Sequence, residues 1–419
     1  MEASVPMIYR FENTPQLSDL QVEVESIGDK IQFELSGPQT DFFLPLVKLY
    51  YDWFNRIGPI TAHQGRNVYS LYLPSIPSGA DARLLEGVFR DKLFRLRTPR
   101  AVTIAVTHEC QCRCIHCSAE DNLATGERLS TGEIQRTISE GLDLGLANVT
   151  FTGGEPLLRE DLEELIAFVP REKAVSKVFT NGALLDAKRA SSLKAAGLQS
   201  VKLSLDSPDP FEHDRLRQRH GSFREVESGL ACALEAGLLL GLSTYATNES
   251  VRKGRLTEVA SLAVEWRVHE VSVFDVIPTG RLLHQHGMLM TDDARRELMQ
   301  EADKLNQELG GRPRITTQSW TNSTSGFAAY FGCLAGAYQY HITAYGEFTP
   351  CDFTPISFGN VRSESVASLW QKLGNHPAYC THRPDCRMQS SSFRQKYIDP
   401  IPEKAPLPYP IEKLDEESQ

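Results

Sequence analysis

From residue 101 onward, short β-branched and apolar runs alternate with longer stretches in which apolar residues return every three or four positions. The runs "AVTIAVT", "NVTFTGG", "SKVFTNG", "SVKLSLD", "LLLGLSTYAT" and "HEVSVFDVIP" have the composition of strands. Between them, "STGEIQRTISEGLDLGL", "REDLEELIAFV", "DAKRASSLKAAG", "SFREVESGLACALEAG" and "GRLTEVASLAVEWR" carry helical periodicity, and "TDDARRELMQEADKLNQELG" follows the sixth strand. Strand–helix units in succession call for parallel strands joined by right-handed crossovers. Eight units close a barrel in roughly 250 residues, so six need roughly 190. The expected class is therefore α/β, with a six-stranded partial (β/α)6 TIM-like barrel over residues 99–310.

The pattern before it differs. "LQVEVESIGDKIQFELSG" predicts two strands around a Gly-Asp turn, and "TDFFLPLVKLYYDWFNRIG" a helix capped by Thr40 or Asp41 and stopped at Gly58. "NVYSLYLP" predicts a strand and "SGADARLLEGVFRDKLFRL" a second helix. Residues 1–98 thus form a small α+β module without cysteine, suited to docking or gripping a substrate. Residues 311–390 are poorer in regular pattern. Residues 391–419, ending in "DPIPEKAPLPYPIEKLDEESQ", are rich in Pro and charge and predict an extended or disordered tail.

A net charge of −10 argues against a nucleic-acid partner gripped through its phosphates. The N-terminus lacks the basic and apolar regions of a secretory signal. No apolar run approaches the roughly 20 residues that cross a bilayer. The expected location is cytoplasmic, with no membrane partner. Thiols stay reduced there, and nine cysteines is an odd number for a disulfide framework, so clustered cysteines point to metal or redox chemistry.

Four of the nine fall within "VTHECQCRCIHCSAED". Cys110, Cys114 and Cys117 have the spacing C-x3-C-x2-C, in the loop after the first strand of the series. In parallel α/β folds that end of the sheet carries the reactive groups. Three thiolates can hold three corners of a cubane iron–sulfur cluster and leave the fourth iron open to a small molecule. Cys112 is left over and reads as a bystander. The competing reading is a structural zinc site completed by His108 or His116, in a zinc-stabilised binding protein without turnover.

The stretch resembles the C-x3-C-x-Φ-C signature of the radical S-adenosylmethionine (SAM) superfamily, with His116 at the usually aromatic Φ position. The resemblance implies that SAM chelates the open iron and is split by one electron to a 5′-deoxyadenosyl radical, which takes a hydrogen atom from substrate. It extends around the sheet. "TGGEP" (Gly153, Gly154, Glu155, Pro156) matches the motif that meets the methionine amino group, where glycines allow close approach and a carboxylate faces an ammonium. "TNG" (Thr180 to Gly182) matches the third-strand motif. Ser204 and Asp206 of "LSLD" match the ribose-binding strand. "HDRLRQRHGSF" is similar to a stretch that places Arg217 on the cofactor carboxylate, with Gln218 where glycine is usual. "VIPTGR" places Ile277 near adenine. On the fifth strand, Thr244 and Thr247 are the polar candidates.

Cys333, Cys351, Cys380 and Cys386 form a second group. "GEFTPC" resembles the G-x4-C start of SPASM and twitch extensions, and "FGNVRSESVASLWQKL" their continuation. Four cysteines imply one auxiliary 4Fe–4S cluster, in a shorter twitch-like form, with zinc as the alternative metal. The resemblance implies a low-potential donor such as flavodoxin or ferredoxin. It also implies a substrate that is most often a ribosomally made peptide; sugars, tetrapyrroles and other small molecules are alternatives. Asp352 and Tyr245 are candidates for an acid or base near the second cluster. Cys232 reads as core.

Overall fold

The computed structural model describes residues 4–11, 13–119, 126–317 and 332–417. The chain opens on three antiparallel strands, β1 (Met7–Arg10), β2 (Gln21–Ile27) and β3 (Lys30–Ser36), in the order β1-β2-β3. Alternate residues of β2 are buried, and Gly28 turns the chain at φ +59°. Helix α1 (Thr40–Ile57) packs on this sheet through Phe43, Val47, Tyr50, Tyr51 and Phe54. Its N-cap is Gln39, in the left-handed region, rather than Thr40 or Asp41. Of "NVYSLYLP" only Asn67 and Val68 are strand: they end β5 (Arg66–Val68), paired with β4 (Thr61–His63). The rest turns so that Ser70 to Tyr72 reach the large sheet. Helix α2 (Gly79–Lys92) is capped by Ser78, whose side chain accepts the Asp81 N–H. Asp81 lies inside this module's core, taking the hydroxyls of Tyr9 (2.9 Å), Tyr50 (2.6 Å) and Tyr51 (3.3 Å).

The alternation beyond residue 100 folds as read: β6 (Ala101–Thr107), α3 (Thr131–Leu144), β7 (Asn148–Gly153), α4 (Leu162–Phe168), β8 (Val175–Thr180), α5 (Ala187–Ala196) and β9 (Ser200–Ser204). After β9 the chain inserts a short helix, α6 (Pro210–Arg217), before α7 (Ser222–Glu235) and β10 (Leu239–Ala246). Likewise α8 (Asn248–Arg252) precedes α9 (Arg255–Glu265), then β11 (Glu270–Asp275) and α10 (Asp292–Glu308). Strands β6 to β11 are parallel neighbours in chain order.

The sheet is wider than six strands. β12 (Arg314–Thr317) adds in parallel beyond β11, so it runs past residue 310. At the other edge β13 (Gln339–Ile342) pairs in parallel with β6, and β14 (Phe348–Thr349) pairs antiparallel with β13. The order is β12-β11-β10-β9-β8-β7-β6-β13-β14, open at both ends. The cysteine-rich segment is thereby a continuation of the sheet beside β6, the strand that leads into the first cysteine loop.

One face of the sheet packs Val149, Phe151, Val178, Val201, Leu203, Leu240 and Val271 into the main core. The opposite face is polar. Lys202 Nζ lies 2.6 Å from Glu270 Oε1, with neither side chain exposed. Glu270 Oε2 accepts the Ser70 hydroxyl (2.6 Å) and the Leu71 N–H (2.9 Å), and the Lys202 ammonium sits 3.6 Å above the Tyr72 ring. Segment 70–72 thus covers the strands' amino ends, opposite the cysteines.

The C-terminal stretch is ordered, contrary to the expected tail. After β15 (Ile356–Ser357) and α11 (Val366–Asn375) come α12 (Ser391–Tyr397), β16 (Tyr409–Pro410) and α13 (Ile411–Glu417). β16 pairs with β15, and Ile398, Ile401, Leu407, Ile411 and Leu414 are buried. Buried Arg394 donates to the carbonyls of Pro278 (2.9 Å) and Leu283 (2.7 Å).

Candidate active site

The first cysteine loop leaves the carboxyl end of β6 and is clasped from three sides. Gly154 N–H donates to Thr107 O (2.8 Å) and Glu155 N–H to Glu109 O (2.7 Å). Arg113 and Ile115 N–H donate to the carbonyls of Arg217 (3.1 Å) and Leu216 (3.0 Å), at the end of α6. Arg281 N–H donates to Cys117 O (3.1 Å). The "GG" of "TGGEP" is needed here for the loop itself. A Cβ on Gly153 would stand 2.1 Å from Thr107 O, and one on Gly154 2.2 Å from Glu109 O. Gly280, at φ +52°, has the same relation to Cys117 O at 2.3 Å.

Cys110, Cys114 and Cys117 share this loop. A hydrogen bond from the Cys112 thiol lowers the pKa of Cys110 and brings Cys114 down to about 6, where Arg217 also favours the thiolate. Burial pushes Cys117 up to about 11, and Cys112 itself is raised by donating to its neighbours. Asn181 Nδ2 lies 3.8 Å from Cys110 Sγ and Arg217 Nη1 3.6 Å from Cys114 Sγ. Cys110 and Cys114, with lowered pKa values and donors facing their sulfurs, and Cys117 on the same loop fit the ligand set of a cubane cluster.

The polar residues at the strand ends bond to one another. Glu155 is buried, and its carboxylate accepts the Thr180 hydroxyl (2.6 Å) and the N–H groups of Asn181 (2.8 Å) and Leu157 (3.0 Å). It ties β7 to β8, and burial raises its pKa against these donors. Pro156 begins the single turn that follows. Asp206 is gripped by Arg217, with Nε 2.5 Å from Oδ2 and Nη2 2.9 Å from Oδ1, and His116 Nε2 lies 3.3 Å from Oδ2. Despite burial, the Arg217 guanidinium holds Asp206 well below the usual carboxylate range, and Asp206 in turn raises Arg217. Gln218, in place of the usual glycine, takes the left-handed conformation at φ +50° and ends α6. Ser204 Oγ faces Ser243 Oγ at 3.4 Å. On the fifth strand of the series the inward residues are therefore Ser243 and Tyr245. Thr244 has the opposite parity, and Thr247 caps α8. Tyr245 lies 4.1 Å from the His116 ring, beside the first cysteine loop and not the second group. Ile277 is buried just past β11.

In the second group, Cys333, Cys351 and Cys386 are mutually close enough for each new charge to raise the next thiol's pKa, with burial the larger cause. Cys351 Sγ is 3.1 Å from Thr354 Oγ1. Cys380 is exposed, with Sγ 3.6 Å from Pro377 O. Cys232, on α7, is half-buried against the core.

Between the two groups lie two adjoining open cavities that share Ser118, His341, Thr343 and Asp352. Asp352 is the acid–base candidate that the structure places here. His341, Tyr345 and His108 also line this cleft; sequence reasoning passed over His341 and Tyr345 and named His108 only in the zinc reading. His341 is inward on β13, a four-residue strand too short to show its period.

A model of the radical SAM superfamily matches residues 104–248, and one of an iron–sulfur cluster-binding domain, SPASM, matches 333–396. An AdoMet-dependent heme synthase from Nitratidesulfovibrio vulgaris is 27% identical over 299 residues, 66% of this chain and 79% of that one. A PqqA peptide cyclase from Xanthomonas axonopodis pv. citri is 26% identical over 340 residues, 74% of this chain and 89% of that one. The crystal structure of Streptococcus suis SuiB bound to precursor peptide SuiA shares the fold at TM-score 0.54, with 16% identity, covering 87% of this chain and 88% of that one.

Proposed function

Since the chain belongs to the radical SAM superfamily and carries a SPASM iron–sulfur domain, we propose that it is the enzyme that modifies a ribosomally made peptide by hydrogen-atom abstraction. Its cofactors are a SAM-binding 4Fe–4S cluster, S-adenosylmethionine and auxiliary iron–sulfur chemistry. Together these supply a carbon radical strong enough to break an unactivated C–H bond. Cys110, Cys114 and Cys117 would hold the first cluster. Gly153, Gly154, Glu155 and Pro156 would fix the loop beside it, and Ser204, Asp206, Arg217 and Ile277 would surround the cofactor. Cys333, Cys351 and Cys386 would hold the auxiliary centre. A flavodoxin or ferredoxin in the cytoplasm would deliver the electron.

The observation that carries the peptide reading is the charge of the cleft. Neither cavity is lined by Lys or Arg, and Asp352 contributes a negative charge. A carboxylate-rich tetrapyrrole calls for cations to pair its carboxylates. A neutral or cationic peptide segment does not. The peptide cyclase relative and the precursor-peptide complex of SuiB point the same way.

The test incubates anaerobic, reduced enzyme and SAM with short peptides encoded beside its own gene, and in parallel with a carboxylated iron porphyrin. A mass change in a peptide, matched by 5′-deoxyadenosine, supports the reading. Turnover of the porphyrin alone replaces it.

A further inference from the structure

We propose that His341 is the proton acceptor of the cleft, presenting the Nε2 lone pair to the substrate. The inference rests on the substrate being held between the two cysteine groups, as proposed above.

The tautomer follows from the hydrogen bonds. The Thr349 hydroxyl has one proton, and its contacts to the Cys351 carbonyl (3.2 Å) and to His341 Nδ1 are satisfied together only when that proton goes to the carbonyl. His341 Nδ1 lies 2.9 Å from the same Thr349 oxygen. That oxygen can then only accept, so Nδ1 carries the proton and Nε2 is bare. Other histidines of the chain are wired the opposite way. Nδ1 of His213 accepts the Asp206 N–H (3.1 Å), Nδ1 of His269 the Leu240 N–H (3.0 Å) and Nδ1 of His376 the Ala378 N–H (3.1 Å). In each, the neutral ring carries its proton on Nε2. His341 is reversed, and it is also the one of these four that lines both cavities.

The surroundings suit a base. Burial lowers the His341 pKa and keeps the ring neutral before reaction, while the nearby Asp352 carboxylate opposes this and favours the imidazolium once formed. The step is heterolytic: a substrate X–H bond breaks, its electron pair stays on the substrate, and an N–H bond forms at Nε2. No electron passes through the ring. Thr349 is the positioning residue.

The experiment has a spectroscopic and a chemical arm. Ring-nitrogen NMR of ¹⁵N-histidine-labelled, anaerobic holoenzyme reads the tautomer, with His341→Asn identifying the signal. His341 is expected as the Nδ1–H form, and Thr349→Val should release it to a mixture. An Nε2–H ring in the unmodified protein overturns the proposal, whether or not a substrate is known. In the chemical arm, His341→Asn keeps a donor toward Thr349 but lacks the lone pair. With any peptide modified by the wild type, the ratio of modified peptide to 5′-deoxyadenosine should fall about a hundredfold. An unchanged ratio overturns the proposal. Absence of 5′-deoxyadenosine from the wild type overturns the radical reading instead, and leaves the tautomer measurement to judge His341.

Discussion

Arg217 and Asp206 form a two-point ion pair, at 2.5 and 2.9 Å, with the third guanidinium nitrogen 3.6 Å from Cys114 Sγ. The pair joins the end of α6 to the end of β9 and aims positive charge at the first cysteine loop. Asp206→Asn leaves Arg217 buried without its counter-charge. Unfolding by urea should show a loss of about 3–5 kcal/mol. A loss well under 1 kcal/mol would mean the pair carries no structural load.

Next to it, Gln218 holds φ +50° without being glycine. Gln218→Gly should relieve about 1 kcal/mol of left-handed strain and raise the melting temperature. A lower melting temperature would show that the Gln218 side chain makes a compensating contact.

In the N-terminal module, burial raises Asp81 to about 6 from an ordinary 3.8, against its tyrosine hydrogen bonds. The folded state therefore holds this proton more tightly than the unfolded one. The contribution is fully present below pH ~4 and is lost as pH rises through 6, with an upper bound of roughly 3 kcal/mol. Asp81→Asn should flatten the pH dependence of the module's unfolding between pH 4 and 6. An unchanged slope would assign it to other groups.

The second cysteine group makes a compositional prediction. Cys333→Ala, Cys351→Ala and Cys386→Ala should each lose the auxiliary centre's iron, whereas Cys380→Ala, at an exposed position, should keep it. Iron analysis and electron paramagnetic resonance on the reduced proteins decide this. Equal loss in Cys380→Ala would restore the four-thiol set expected from sequence.

What could be read from sequence follows the length of each signal. Strands β6 to β11 and their helices span enough residues for both periods to show. β12 and β13 have four residues each, and sheet order, not period, gives them their place. In the C-terminal stretch, Pro and charge dominate the average and hide Ile398, Ile401, Leu407 and Ile411, which are single anchors spaced between prolines. The cysteine loop was legible because its chemistry is local. The Glu155 tie from β7 to β8 and the inward turn of His341 were not, because their partners lie on other strands.

The most direct test of the account is reductive cleavage of SAM. Anaerobic, dithionite-reduced protein should form 5′-deoxyadenosine, and Cys110→Ala, Cys114→Ala and Cys117→Ala should each abolish it while Cys112→Ala does not. Cleavage that persists in Cys114→Ala, or an iron-replete wild type that forms none, would contradict it.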